Sequence, residues 1–146
     1  MELTLQMIND EEGFQNFCTL LKSSGLPAND LDYQKDLLVA YVEDGNMVGT
    51  GGLEIYGEYG LLRSLSVKLG TRGKALGTAI TEYLVEQARS RKLKGIYLLT
   101  ETAHGFFQRK GFVDVKREDV PEPLKASSEF SYVCGPTAVA MHLPIY

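Results

Sequence analysis

The stretch "VKLGTRGKALGTAI" (residues 67–80) decides how the rest of the chain is read. It leaves an apolar strand, passes Gly70, Arg72, Gly73 and Lys74, and enters a segment with helical spacing. A strand turning into a helix this way gathers free backbone N–H groups and the positive end of a dipole at one point. An anion there gains about 0.3–1 kcal/mol per exposed charge. Gly73 lets the backbone curl without a Cβ clash, and Gly77 permits close approach at the helix start. Ala75 stands where a third loop glycine is expected. A positive φ would cost alanine about 1–2 kcal/mol, so helical angles are expected at Ala75 and the sharp bend nearer Gly73. The loop lacks the Gly-Lys-Ser/Thr close of a Walker A site, because Ala75 follows Lys74, and it has no G-x-G-x-x-G fingerprint.

Working outward, "LLVAYVE" (37–43), the turn "DGN" (44–46) and "MVGTGGLEI" (47–55) predict an antiparallel hairpin. Gly51 and Gly52 weaken a strand interior and predict a bulge or a close approach by a ligand. "YGEYG" (56–60) turns the chain into the next strand, "LLRSLSV" (61–67). Upstream, "LTLQMI" (3–8) is a strand, Asn9 or Asp10 caps a helix, and Phe14, Phe17, Cys18 and Leu21 form its core face. Gly25 and Pro27 end that helix, and residues 29–36 read as a polar surface linker.

Downstream, Leu76, Ile80, Leu84 and Ala88 mark the buried stripe of a helix ending near Lys92–Lys94. "GIYLLT" (95–100) is a buried strand, "AHGFFQRKGF" (103–112) a brief helix closed by Gly111, and "FVDVK" (112–116) a strand. Residues 119–130 suggest a loop with a short Pro-started helix, and "AVAMHLPI" (138–145) a final strand. The order predicts one α/β domain over residues 1–146, with a mixed, mostly antiparallel central sheet and helices on both faces.

The chain's 146 residues carry a net charge of −4, which argues against a nucleic-acid binder working through general phosphate attraction. Two cysteines, Cys18 and Cys134, make neither a disulfide framework nor a zinc site. His104 and His142 lack partners at metal spacing, so no metal is expected. No secretory pattern opens the sequence and no apolar run approaches the roughly 18 residues of a membrane span, so no membrane partner is expected and the cytoplasm is the default compartment. A monomer or homodimer is expected.

The segment around 67–80 resembles the acetyl-CoA loop of the GCN5-related N-acetyltransferases, whose pattern Arg/Gln-x-x-Gly/Ala-x-Gly/Ala is filled by Arg72, Ala75 and Gly77. That superfamily's second signature, Ala-x-x-Phe-Tyr with a basic-Gly-Phe close, is approached by "LLTETAHGFFQRKGF" (98–112). The resemblance spans at least residues 37–116. It implies the acyl-CoA N-acyltransferase fold and acetyl-CoA as acetyl donor to a small-molecule amine. Backbone groups of Leu65, Ser66 and Val67 would pair with the pantetheine arm. The amides of Arg72, Gly73, Lys74, Ala75, Leu76, Gly77 and Thr78 would hold the pyrophosphate. Ala103, Phe106 and Phe107 would line the thioester end, and Arg109 would lie near the nucleotide.

Many relatives place a proton-donating Tyr where this chain has Phe107, and some place a glutamate base on the strand before the loop, which here has no carboxylate. Glu54, Glu58, Glu101 or a water chain would then supply the base; Glu54 is favoured because it follows Gly51–Gly52 on the adjacent strand. Arg63 is the more telling residue. Burying an arginine within an apolar strand is costly without a partner, and its planar fork suits a carboxylate. A salt bridge to Glu54 or another Glu and the binding of an acidic substrate are alternative roles, and both hold if the substrate displaces the internal partner.

The segments "GGLEIYGEYGLLRSLSV" (51–67) and "VPEPLKASSEFSYVCGPTAVAM" (120–141) further resemble small N-acetyltransferases associated with arsenic resistance. That resemblance implies an amino acid, or an amino-acid-like arsenical, as acceptor. Arg63 and Ser64 would meet its carboxylate, and Cys134 would contact an arsenical or simply pack. An acyl-CoA sensor without turnover, and an acetyltransferase for an unrelated amine or antibiotic, are the alternatives.

Overall fold

The computed structural model describes residues 3–26, 28, 31–68, 75–125 and 138–145. In chain order the elements are β1 (Leu3–Met7), α1 (Glu11–Ser23), β2 (Leu37–Glu43), β3 (Asn46–Tyr56), β4 (Tyr59–Val67) and α2 (Leu76–Ser90). Then come β5 (Gly95–Thr100), α3 (His104–Arg109), β6 (Val113–Asp114), a 3-10 turn (Arg117–Asp119), α4 (Glu122–Lys125) and β7 (Val139–Pro144). The strands make one mixed sheet in the order β1-β2-β3-β4-β5-β7-β6, with β4 and β5 parallel. Backbone contacts divide the chain into two compact units, residues 1–54 with 63–84, and residues 55–62 with 85–146.

In the first unit, Asp10 caps α1 by accepting a hydrogen bond from the Gly13 N–H at 2.8 Å. Its buried Phe17 and Leu21 pack with Ile8, Leu31, Leu38 and Ala40, so α1 covers the sheet face that carries Leu38 and Ala40. The α2 stripe meets the opposite face. Leu76, Ile80, Leu84 and Ala88 are all essentially inaccessible, as their helical spacing predicts.

Gly51 and Gly52 have a different purpose from the bulge or ligand approach that the sequence suggests. A Cβ on Gly51 would overlap Ile80 Cγ2 and lie 3.1 Å from Leu84 Cδ1, and one on Gly52 would lie 2.9 Å from Leu38 Cδ2. The glycines let α2 on one face and Leu38 on the other sit directly against the β3 backbone. The described irregularities fall elsewhere, at Val48 of β3, which is left unpaired between Gly49 opposite Tyr41 and Met47 opposite Val42, and at Ser64 of β4.

In the second unit, β5 pairs with β7 over six residues, from Gly95 opposite Pro144 to Thr100 opposite Val139. Strand β6 is shorter than the 112–116 expected, with only Val113 and Asp114 in register against β7. Leu61, Tyr97, Val120, Leu124 and Ala140 form this unit's buried cluster. The His142 ring stacks on Tyr97 at 4.3 Å, directly over Gly95, where a Cβ would meet its Nε2 at 2.7 Å. Among the described residues no helix is long and apolar enough to cross a membrane.

Two outcomes follow from this packing. Gly51→Ala should lower unfolding free energy by about 2 kcal/mol, the usual cost of overfilling a packed core, in a urea titration; an unchanged midpoint would mean α2 can shift freely. Burial lowers the pKa of His142 from its ordinary 6.5, so the unfolded chain takes up its proton first as pH falls. Stability contributed by neutral His142 is therefore full above pH 6.5 and declines below it. His142→Phe should shrink that decline, read as the urea midpoint between neutral and mildly acidic pH.

Candidate active site

The first unit gathers the charged residues that an apolar strand would ordinarily exclude. Alternation along β3 puts Glu54 on the side of Gly52 that faces Leu38, and Arg63 of β4 shares that side. Arg63 Nη1 lies 3.6 Å from Glu54 Oε2, with the side chains 1% and 8% exposed. Each ion loses several kcal/mol of hydration at such burial, so the two make sense only together. Arg63 Nε also approaches Ser64 Oγ at 3.4 Å.

Ser64 itself sits at φ +64° inside a strand, a left-handed backbone that costs a non-glycine residue about 1–2 kcal/mol. A residue of this kind within a ladder marks a bulge, which re-aims the side chains beside it. The Thr50 hydroxyl donates to the Ser64 carbonyl at 2.8 Å and holds the distortion in place. Two residues on, the hydroxyls of Ser66 and Ser24 meet at 2.5 Å and tie β4 to the C-cap of α1. The parallel ladder of β4 with β5 covers Tyr59–Leu61 against Gly95–Tyr97, and Leu65, Ser66 and Val67 lie beyond it on β4.

Asp36, at the mouth of β2, joins this charged group. Its Oδ2 accepts the Asp32 N–H at 3.0 Å, and its own N–H donates to the Asp32 carbonyl at 2.8 Å. Burial pushes its carboxyl up from the ordinary value, while the Asp32 N–H and the Arg63 charge pull it back. The sequence places 29–36 in a polar surface linker, yet Leu31 is buried and Asp36 half-buried. The available signal was an acidic residue directly preceding a strand of four buried residues.

At the start of α2 the structure corrects one expectation. Ala75 has φ +53°, so its angles are left-handed where helical ones were expected. The Ala75 carbonyl accepts the Ala79 N–H at 3.1 Å, so this left-handed residue already takes part in the first helical bond. A left-handed residue followed by a helical one aims successive N–H groups into one concavity, which suits an anion. Leu76, Gly77 and Thr78 form the first turn, whose N–H groups have no intrahelical acceptor. Arg72, Gly73, Lys74 and Cys134 lie outside the described residues.

The second unit holds the other predicted positions. The Ala103 N–H donates to Thr100 Oγ1 at 2.9 Å, and the Ala103 carbonyl accepts the Phe107 N–H at 3.1 Å. Phe107 is buried between Phe106 and Phe112, with centroids at 5.1 and 5.5 Å, so it packs and has no proton to give. Arg109 ends α3. His104 Nε2 and Asp114 Oδ1 meet at 2.6 Å on the surface, a pair that nothing in the sequence spacing announced. Glu58, one of the alternative bases, pairs with Lys94 at 3.0 Å in the open.

The acetyltransferase (GNAT) domain profile matches residues 34–114, more than half of the chain and both signature segments. The chain belongs to the GNAT acetyltransferase family. It is 32% identical over 73 residues to an amino-acid acetyltransferase of Mycobacterium tuberculosis, a match covering 49% of this chain and 41% of that protein. A GNAT-family acetyltransferase from Staphylococcus aureus superposes with a TM-score of 0.80 at 17% identity, covering 99% of this chain and 100% of that one. N-acetylglutamate synthase from Neisseria gonorrhoeae superposes with a TM-score of 0.82 at 12% identity, covering all of this chain and 36% of that one. These likenesses establish that the sheet and helices have the GNAT arrangement.

Removing Glu54 should leave the Arg63 charge inadequately compensated. Glu54→Ala is expected to cost about 3 kcal/mol in urea unfolding, with much of the loss recovered in Glu54→Leu/Arg63→Met. A change below about 0.5 kcal/mol, typical of surface sites, would show that the pair carries no structural weight.

Proposed function

We propose that this chain is an acetyl-CoA-dependent N-acetyltransferase acting on the amine of a small, carboxylate-bearing acceptor, with residues 1–146 working as one domain. The observation that carries the acceptor half is the buried Arg63–Glu54 pair. Arg63 Nη1 and Glu54 Oε2 stand 3.6 Å apart, an ion-pair distance between two side chains nearly cut off from solvent. An acceptor carboxylate meeting the planar guanidinium with both oxygens makes the stronger contact and displaces Glu54. The amino-acid acetyltransferase among the relatives, and the N-acetylglutamate synthase solved with coenzyme A and N-acetyl-glutamate, support an amino acid as that acceptor.

The donor half rests on family membership and on the start of α2. The left-handed Ala75 and the first-turn N–H groups of Leu76, Gly77 and Thr78 fit a pyrophosphate, and the resemblance adds Arg72, Gly73 and Lys74. The resemblance also assigns the backbone of Leu65, Ser66 and Val67 to the pantetheine arm. It gives Ala103, Phe106 and Phe107 the thioester end and Arg109 the nucleotide side.

Bound acetyl-CoA supplies an activated acyl carbon. Arg63, with Ser64 beside it, orients the acceptor by its carboxylate. Glu54, released from Arg63, takes the proton that the acceptor ammonium must lose before its nitrogen can attack. The new N–C bond would form as the C–S bond breaks; the nitrogen would shed its second proton to solvent, and solvent would return one to the leaving thiolate because Phe107 has none. The finer acceptor identity, an amino-acid-like arsenical with Cys134 as a soft contact, is supported by the sequence of segments 51–67 and 120–141. Phe107 favours a second function, an acyl-CoA sensor without turnover.

Thiol release from acetyl-CoA over a panel of amino acids, simple amines and amino-acid arsenicals separates these functions. Turnover confined to carboxylate-bearing amines is expected, with Arg63→Ala raising the acceptor KM about tenfold or more and the acetyl-CoA KM little. Tight acetyl-CoA binding with no turnover on any acceptor would favour the sensor.

A further inference from the structure

Among the described residues of the first unit, Arg63 is the buried guanidinium, and more negative charge stands near it than is needed to balance it. Leu37 of β2 pairs with Leu53 of β3, so Asp36, one residue earlier, comes level with Glu54, one residue later. Leu38 shares its face with Gly52, which is the face of Glu54 and Arg63, and Asp36, directly before β2, lies near enough for the Arg63 charge to act on its carboxyl. Two reciprocal bonds with Asp32 fix where Asp36 stands, at the end of the segment that joins α1 to β2. Arg63 and Lys35 against Glu54, Asp36 and Asp32 give the group a net charge of −1 when all are ionised.

We propose that Asp36 is a specificity-determining residue of the acceptor site, which selects a zwitterion: the acceptor's carboxylate meets Arg63 and its ammonium meets Asp36. This rests on the acetyltransferase function proposed above. The charge count explains the choice. An acceptor with a carboxylate and no ammonium would bring a second surplus negative charge into a half-buried site. An amine with no carboxylate would leave Arg63 with nothing to gain from exchanging Glu54. Only a molecule carrying both charges a few ångströms apart, as an α-amino acid does, satisfies both ends without changing the net charge of the site. Electrostatic matching of this kind governs which partner enters more than how tightly it is held.

Asp36 also carries the mark of a residue kept for function. Its carboxylate form is disfavoured by burial despite its partners, so Asp36→Asn should leave the melting temperature unchanged or raise it. A purely structural carboxylate would do the opposite.

The test uses the full chain, its Asp36→Asn and Asp36→Glu variants, and two readouts. These are thiol release with an α-amino acid or its carboxyl amide, and the melting-temperature rise on adding the amino acid to the chain saturated with coenzyme A. The expected result is a rise of about tenfold or more in the amino-acid KM for Asp36→Asn, an acetyl-CoA KM within about twofold, and partial recovery in Asp36→Glu. If the wild-type chain turns over and Asp36→Asn keeps its acceptor KM, the inference is wrong and the transferase function stands. If there is no turnover but Asp36→Asn abolishes an amino-acid-dependent melting shift, the transferase function fails and the Asp36 assignment stands. With neither turnover nor a melting shift for any α-amino acid, both fall.

Discussion

An arginine buried in the middle of an apolar strand is the constraint around which the first unit is arranged. Arg63 loses its hydration on folding, and only nearby negative groups make that state tolerable. Glu54 supplies one from the adjacent strand and Asp36 stands at the mouth of the next, so three successive strands contribute to a single charged group. Replacing such a group by apolar side chains of similar volume is often neutral or stabilising in proteins at large. Its presence here therefore points toward recognition more than toward stability.

The backbone is unusual beside that group and again at the start of α2. Ser64, directly after Arg63, and Ala75, directly before α2, both hold left-handed angles that glycine would adopt freely. Each is held by a specific bond, Thr50 to the Ser64 carbonyl and Ala79 to the Ala75 carbonyl. Strain held in this way concentrates where a protein must present backbone groups in a set direction. Ser64 directly precedes the segment that the family signature assigns to the donor, and Ala75 lies within it.

Much of this was legible in the sequence because it depends on periodicity and on caps. The Leu76–Ile80–Leu84–Ala88 stripe, the hairpin around 44–46 and the Asp10 cap follow from local spacing, and the structure shows all three. The Arg63–Glu54 pair was expected because a buried charge demands a partner and few candidates stood nearby. What stayed hidden depends on which strand lies beside which. Gly51 and Gly52 look like a distortion until Ile80 and Leu38 are seen against them. Asp36 looks like a surface residue until the β2–β3 register sets it level with Glu54. Ala75 holds left-handed angles against its own propensity, at a cost of about 1–2 kcal/mol that no local sequence rule foretells.

The central claim is that Arg63 exchanges an internal carboxylate for that of the acceptor. A crystal structure of the chain with coenzyme A and an α-amino acid tests it most directly. The account predicts the amino-acid carboxylate within hydrogen-bonding distance of the Arg63 guanidinium, with Glu54 turned away from it. An Arg63–Glu54 contact left unchanged, with the amino acid bound elsewhere, would contradict it.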